Sequence, residues 1–141
     1  MNKNKYFRNK KRNSMLEAFR KYLLSNDIEV QNEKDGTAIY FERNTLQYIF
    51  NCEKSDPYYF RIILPNILKV TSDNKQEILQ LVNSVNLKFK VAKSVIVEDE
   101  NVWVSVELFA YSMNNIDELF NRAFILHETV LNEYKEYLKK C

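Results

Sequence analysis

From Leu87 to Tyr111 apolar and polar residues alternate with a period of two, the pattern of a sheet with one face buried. The pattern predicts two long strands folded back at Glu98-Asp99-Glu100-Asn101. In the first, Leu87, Phe89, Val91, Val95 and Val97 share a face, with Lys88, Lys90 and Ser94 between them. In the second, Val102, Val104, Val106, Leu108 and Ala110 face one way and Trp103, Ser105, Glu107, Phe109 and Tyr111 the other. The β-branched residues suit a pleated surface. Around this ribbon the period changes. Leu16, Phe19 and Leu23, with Met15 and Tyr22 at the edge, recur at helical spacing after the capping box Ser14-Met15-Leu16-Glu17, which predicts a helix over 14–24. Ile78, Leu81, Val82 and Val85 mark a second helix, opened by Asn74-Lys75-Gln76-Glu77. A long third helix is capped by Asn114 or Asn115 and carries Ile116, Leu119, Phe120, Ala123, Val130, Leu131, Tyr134 and Leu138 on its stripe.

Between the first two helices lie three more predicted strands. Asp35-Gly36 is a turn signal, and Thr37–Glu42 forms the first strand after a short extended lead-in at Ile28–Val30. Arg43-Asn44 turns into a second strand bearing Leu46, Tyr48, Phe50 and Cys52. Tyr58–Leu64 is apolar on both faces, as an interior strand should be, and Pro65, with no amide donor, ends it or marks an edge. The order is α-β-β-β-α-β-β-α: a mostly antiparallel five-stranded sheet packed with helices, an α+β domain. Residues 14–141 read as this single domain, and residues 1–13 as a basic, disordered tail.

Composition narrows the chemistry. A chain of 141 residues buries a core without disulfide staples. The only glycine is Gly36, which excludes the glycine-rich loops that cradle phosphates. Cys52 and Cys141 stand far apart, in neither a disulfide framework nor a zinc motif, and suit a reducing, cytoplasmic setting. No apolar run approaches the length of a membrane span. The net charge of +2 is uneven: six of the 21 basic residues fall within 1–13, leaving 15 against 19 acids in the body. Lys3, Lys5, Arg8, Lys10, Lys11 and Arg12, with Tyr6 and Phe7, would suit phosphate contacts and base stacking, but no nucleic-acid-binding motif accompanies them. Nucleic-acid association through the tail is thus the alternative to a binding domain.

Candidate catalytic chemistry is thin. His127, the sole histidine, lies at the edge of the last helix's apolar stripe without a nucleophile motif, and reads as a structural residue with one hydrogen bond. Cys52 reads as a buried small hydrophobe and Cys141 as a terminal thiol. Glu98, Asp99 and Glu100 read as a solvated turn, because the calcium-loop spacing and its glycine are absent. No catalytic, cofactor or metal site is expected. The anomaly is Trp103, Phe109 and Tyr111, three aromatic side chains opposite the valine stripe. Burial under a second cover and service as an interface both account for them.

The junction of the second helix with the ribbon carries a resemblance. Leu81-Val82-Asn83 with Asn86, followed by Lys88-Phe89 and the long ribbon, resembles the YbjN-like family of small bacterial proteins within the type III secretion chaperone-like fold. The resemblance spans roughly residues 14–138. It implies a non-enzymatic, often dimeric, protein-binding domain. The expectation is a chaperone-like domain that holds a protein partner or a second copy on its sheet, with Trp103, Phe109 and Tyr111 as contacts and strand addition at a sheet edge as a further mode.

Overall fold

The computed structural model describes residues 15–140, so Ser14, the basic tail and Cys141 lie outside the described residues. Helix α1 covers residues 15–25. It is followed by β1 (Val30–Lys34), β2 (Ala38–Arg43), β3 (Leu46–Cys52), β4 (Tyr59–Lys69), α2 (Lys75–Lys88), β5 (Ala92–Val97), β6 (Asn101–Phe109) and α3 (Ile116–Lys139). The strands form one sheet in the order β1-β2-β3-β4-β6-β5, and every neighbouring pair is antiparallel. The helices pack on one face. The architecture is the expected α+β layer with six strands, not five. The additional strand, β1, has the sequence VQNEK, which carries no apolar alternation. It is held by backbone pairing to β2 and by an ion pair from Glu33 to Arg20 of α1.

The core has two parts. One is aromatic: Phe19 of α1 stacks on Phe50 of β3 with centroids 4.1 Å apart and meets Phe120 of α3 edge-on at 4.9 Å. Met15, Leu23, Ile39, Phe41, Phe60, Ile62 and Phe124 complete it. Each such ring pair contributes ~1 kcal/mol beyond its area. The other is aliphatic, where Ile78, Val82 and Val85 of α2 meet Val102 and Val104 of β6 and Val130 and Tyr134 of α3. Phe124 and His127 join the buried face of α3, whereas Leu138 is exposed.

Three local expectations are corrected. First, α2 runs on to Lys88, so Leu87 is an exposed helical residue and Phe89 and Val91 belong to the turn. Val91 takes φ +71°, and that left-handed residue resets the phase. In β5 it is Ser94 that is buried while Val95 is exposed, the reverse of the face read from the alternation. Second, β4 continues through Pro65. Leu64 pairs with Val104 and Leu68 with Val102, so a bulge sits between them, with Asn66 at φ +57°. A bulge needs no ladder amide, which is why an interior strand tolerates proline there. Third, neither Asn74 nor Asn115 makes a side-chain cap bond at its helix. Asn74 instead accepts from the Thr71 amide at 2.7 Å and donates to the Lys69 carbonyl at 3.1 Å, tying α2 back to the end of β4.

Candidate interaction face

Strand alternation sends half of the side chains away from the helices; toward the middle of this face Ile63 and Ser105 are buried, whereas Phe109 at one end is exposed. Cross-strand register arranges them in rows. One row runs Asn51, Arg61, Glu107 across β3, β4 and β6. The next runs Tyr40, Ile49, Ile63, Ser105, Lys93 across β2 to β5. Beyond the first row Tyr59 pairs with Phe109, and beyond the second Val95 pairs with Trp103.

The first row is a polar band centred on Glu107. Its Oε1 accepts from the Tyr59 hydroxyl at 3.0 Å and lies 3.7 Å from the Arg61 guanidinium, while Lys93 Nζ sits 2.9 Å from Oε2. Arg61 Nε donates to Asn51 Oδ1 at 3.1 Å. Burial alone would raise the Glu107 pKa, but the bonds from Lys93 and Tyr59, with the Lys93 and Arg61 charges, hold the carboxyl below its ordinary range. The same burial, together with the Glu107 bond and charge, pushes Tyr59 up to about 12. Glu107 is therefore a carboxylate at neutral pH, paired within the band, while Tyr59 keeps its proton.

Aromatic side chains mark both ends of the face. At one end, where β6 stops at Phe109 short of the expected Tyr111 and Tyr58 lies in the turn before β4, Tyr58 lies 4.7 Å from Tyr111, Tyr59 6.0 Å from Phe109, and Phe109 6.5 Å from Tyr111, ring centre to ring centre. Phe109 and Tyr111 are 61% and 74% exposed. At the other end Trp103 is half-buried, its indole N–H donating to Asn66 Oδ1 at 3.2 Å across the β4 bulge. The three aromatic residues expected to act together are thus divided: Phe109 and Tyr111 form one cluster, and Trp103 stands six residues away along β6, ~20 Å at strand rise. Tyr58, Tyr59 and the Glu107 band escaped the sequence reading. Their signal was present in β4, where Tyr59, Arg61 and Ile63 occupy alternate positions opposite Phe60, Ile62 and Leu64.

The catalytic candidates fall on the helix side. His127 is buried, and its Nε2–H donates to the Ile62 carbonyl at 2.7 Å. It lies deeper than the edge position expected. Burial drives its pKa down to about 4; the Ile62 bond opposes this and the Arg43 charge adds to it. The Cys52 thiol is buried in the aromatic core. In the acidic turn Asp99 pairs with Lys75 at 3.1 Å, and no cluster of metal-ligating side chains occurs among the described residues. A cleft of about 520 Å³ lies where the end of α1 meets the β2–β3 turn. Its lining, which includes Asp27, Glu29, Glu42 and Arg43, holds no His, Cys or Ser. No helix among the described residues is long and apolar enough to cross a membrane.

No family model matches the chain, and no curated protein matches it either. Solved structures do. YbjN from E. coli superposes with TM-score 0.66 at 10% identity, over 87% of this chain and 93% of that one. An uncharacterized protein from Methanothermobacter thermautotrophicus superposes with TM-score 0.57 at 13% identity, over 86% and 96%. SycH, a type III secretion chaperone of Yersinia pestis in complex with a stable fragment of YscM2, aligns with TM-score 0.48 at 9% identity, over 78% and 97%. The chain has the YbjN-like fold that its helix–ribbon junction suggested; at these identities the likeness is one of fold.

Proposed function

We propose that this protein is a non-enzymatic, chaperone-like binding domain that holds a protein partner, or a second copy of itself, on the open face of its sheet. The observation that carries this reading is the exposed cluster of Phe109 and Tyr111, backed by Tyr58 and Tyr59 at one end of the sheet face opposite the helices. Contiguous exposed aromatic surface is uncommon on monomers, and aromatic anchors dominate interface energetics. The paired band around Glu107 suits a rim that sets register without leaving a bare charge beneath a partner. The sealed position of His127 supports a non-enzymatic role, and the thiol of Cys52 accords with a cytoplasmic setting. The nucleic-acid alternative rests on residues 1–13, which lie outside the described residues, while the body carries more acids than bases.

The test compares the full chain with Phe109→Ser/Tyr111→Ser, whose exposed positions leave the core intact. Light scattering after size exclusion reads self-association, and affinity capture from native extract reads foreign partners. Loss of a self-complex or of specific co-purifying proteins in the double variant is the expected result. Identical mass and identical co-purifying proteins for both chains would defeat the proposal.

A further inference from the structure

An open antiparallel sheet has two edges, and each presents unpaired backbone donors and acceptors to any strand that approaches. In β1 the edge is interrupted: its register with β2 shifts between Val30 and Asn32, and the strand ends in the charged pair Glu33-Lys34. The edge of β5 is regular, pairing residue for residue with β6 from Ala92↔Val106 to Val97↔Asn101. Its flank carries no bulge, and Val95 is exposed.

The middle of that edge is occupied by a side chain. The Ser94 amide donates to Asn86 Oδ1 at 2.7 Å, and Asn86 Nδ2 donates back to the Ser94 carbonyl at 3.0 Å. This two-bond ring is what a facing residue of an antiparallel strand makes when it exchanges both N–H···O bonds. Ser94 therefore turns its amide and carbonyl away from β6, and the strand period turns those of Ala92 and Ile96 outward with it. Asn86 is held in place by its surroundings. It lies in the last turn of α2, anchored by buried Val82 and Val85, and Lys88 of the same turn is paired with Glu133 of α3. The turn at Val91 then brings β5 back alongside α2.

We propose that Asn86 is a plug: its carboxamide fills the central pairing position of the β5 edge and thereby prevents β5 from pairing with the β5 strand of a second copy. The bonds it makes define the register that would replace it. An isologous β5–β5′ pair centred on Ser94 exchanges the same two bonds between Ser94 and its symmetry mate. In that register Val95 of each copy lies opposite Lys93 of the other. This inference is independent of the open-face reading, and it limits strand addition at β5 to circumstances that displace Asn86.

The experiment uses the full chain. Asn86→Ala removes the plug. Hydrogen exchange at the Ser94 amide is expected to speed up by about tenfold or more at low protein concentration. Sedimentation over a concentration series is expected to show association beyond any that the parent chain shows. Two second-site changes separate edge pairing from a general loss of structure. Val95→Lys in the Asn86→Ala background sets two ammonium groups against each other, the new one opposite Lys93 of the other copy, and is expected to abolish the association. Val95→Glu sets opposite charges there and is expected to preserve it. Should Asn86→Ala fail to fold, Asn86→Asp, which keeps the acceptor and loses the donor, takes its place in all three measurements. No added association, or association indifferent to the charge at position 95, would overturn the proposal.

Discussion

Acid weakens this fold through His127, and the size of the effect follows from its burial. The imidazole is neutral, with Nε2–H on the Ile62 carbonyl at 2.7 Å and Nδ1 without a partner. The ring of Tyr48 meets it edge-on at 5.5 Å, and the nearby charge is the Arg43 guanidinium, itself paired with Glu128 at 2.8 Å. Nothing there compensates a second proton. Its folded pKa of about 4 lies below the ordinary 6.5, so between those values the unfolded chain binds more protons. Stability is fully present above the unfolded value and falls with pH by ~1.4 kcal/mol per unit, to a total near ~3 kcal/mol at the folded value. Urea unfolding followed by Trp103 fluorescence reads this directly. The reference is His127→Gln, which keeps a donor for Ile62 and does not titrate. Whatever the variant costs at pH 7, its stability relative to the parent should rise by roughly 3 kcal/mol between pH 7 and pH 4. Depressed carboxyls such as Glu107 and Glu33 are common to both chains and cancel. A constant difference across that range would refute the reasoning and mean that His127 titrates alike in the folded and unfolded chain.

Packing and charge give three more expected outcomes. Val91→Gly should raise stability by about 1 kcal/mol in the same urea assay, since a β-branched residue at φ +71° is strained and its side chain is half-exposed. Phe124→Ala should cost about 3–5 kcal/mol, because the fully buried ring packs against Phe41, Tyr48 and the Arg43 guanidinium. Glu107→Gln should bring the Tyr59 pKa down from about 12 toward the ordinary 10, read by NMR titration, while costing less than ~1 kcal/mol because its ion pairs are partly exposed.

Long periodic segments were legible, and phase changes were not. The stripe Leu16, Phe19 and Leu23 and the run Val102, Val104 and Val106 lie buried as their spacing required, because a period sustained over several residues has one buried solution. The register of β5 was not legible, because α2 and the strand meet in an unbroken apolar series. A single left-handed residue, Val91, decides where helix ends and strand begins. The strand β1 was hidden for the opposite reason: Gln31, Asn32 and Glu33 are exposed and carry no pattern, so tertiary contacts, the pairing to β2 and the Glu33–Arg20 ion pair, make them a strand. Of the candidate face, Phe109 and Tyr111 were visible as aromatic residues out of phase with the core, and the structure leaves both uncovered. Their neighbours Tyr58 and Tyr59 come from the turn before β4 and from its first position, and only the pairing of Tyr59 with Phe109 brings the two sets together.

The most direct test of the open-face account is hydroxyl-radical footprinting of the full chain, diluted in buffer and again in native cell extract. Leu24 and Ile125, exposed and remote from that face, serve as internal controls. The account predicts that labelling of Phe109 and Tyr111 falls in extract while labelling of Leu24 and Ile125 holds. Equal labelling of Phe109 and Tyr111 in both conditions, or protection confined to Leu24 and Ile125, would contradict it.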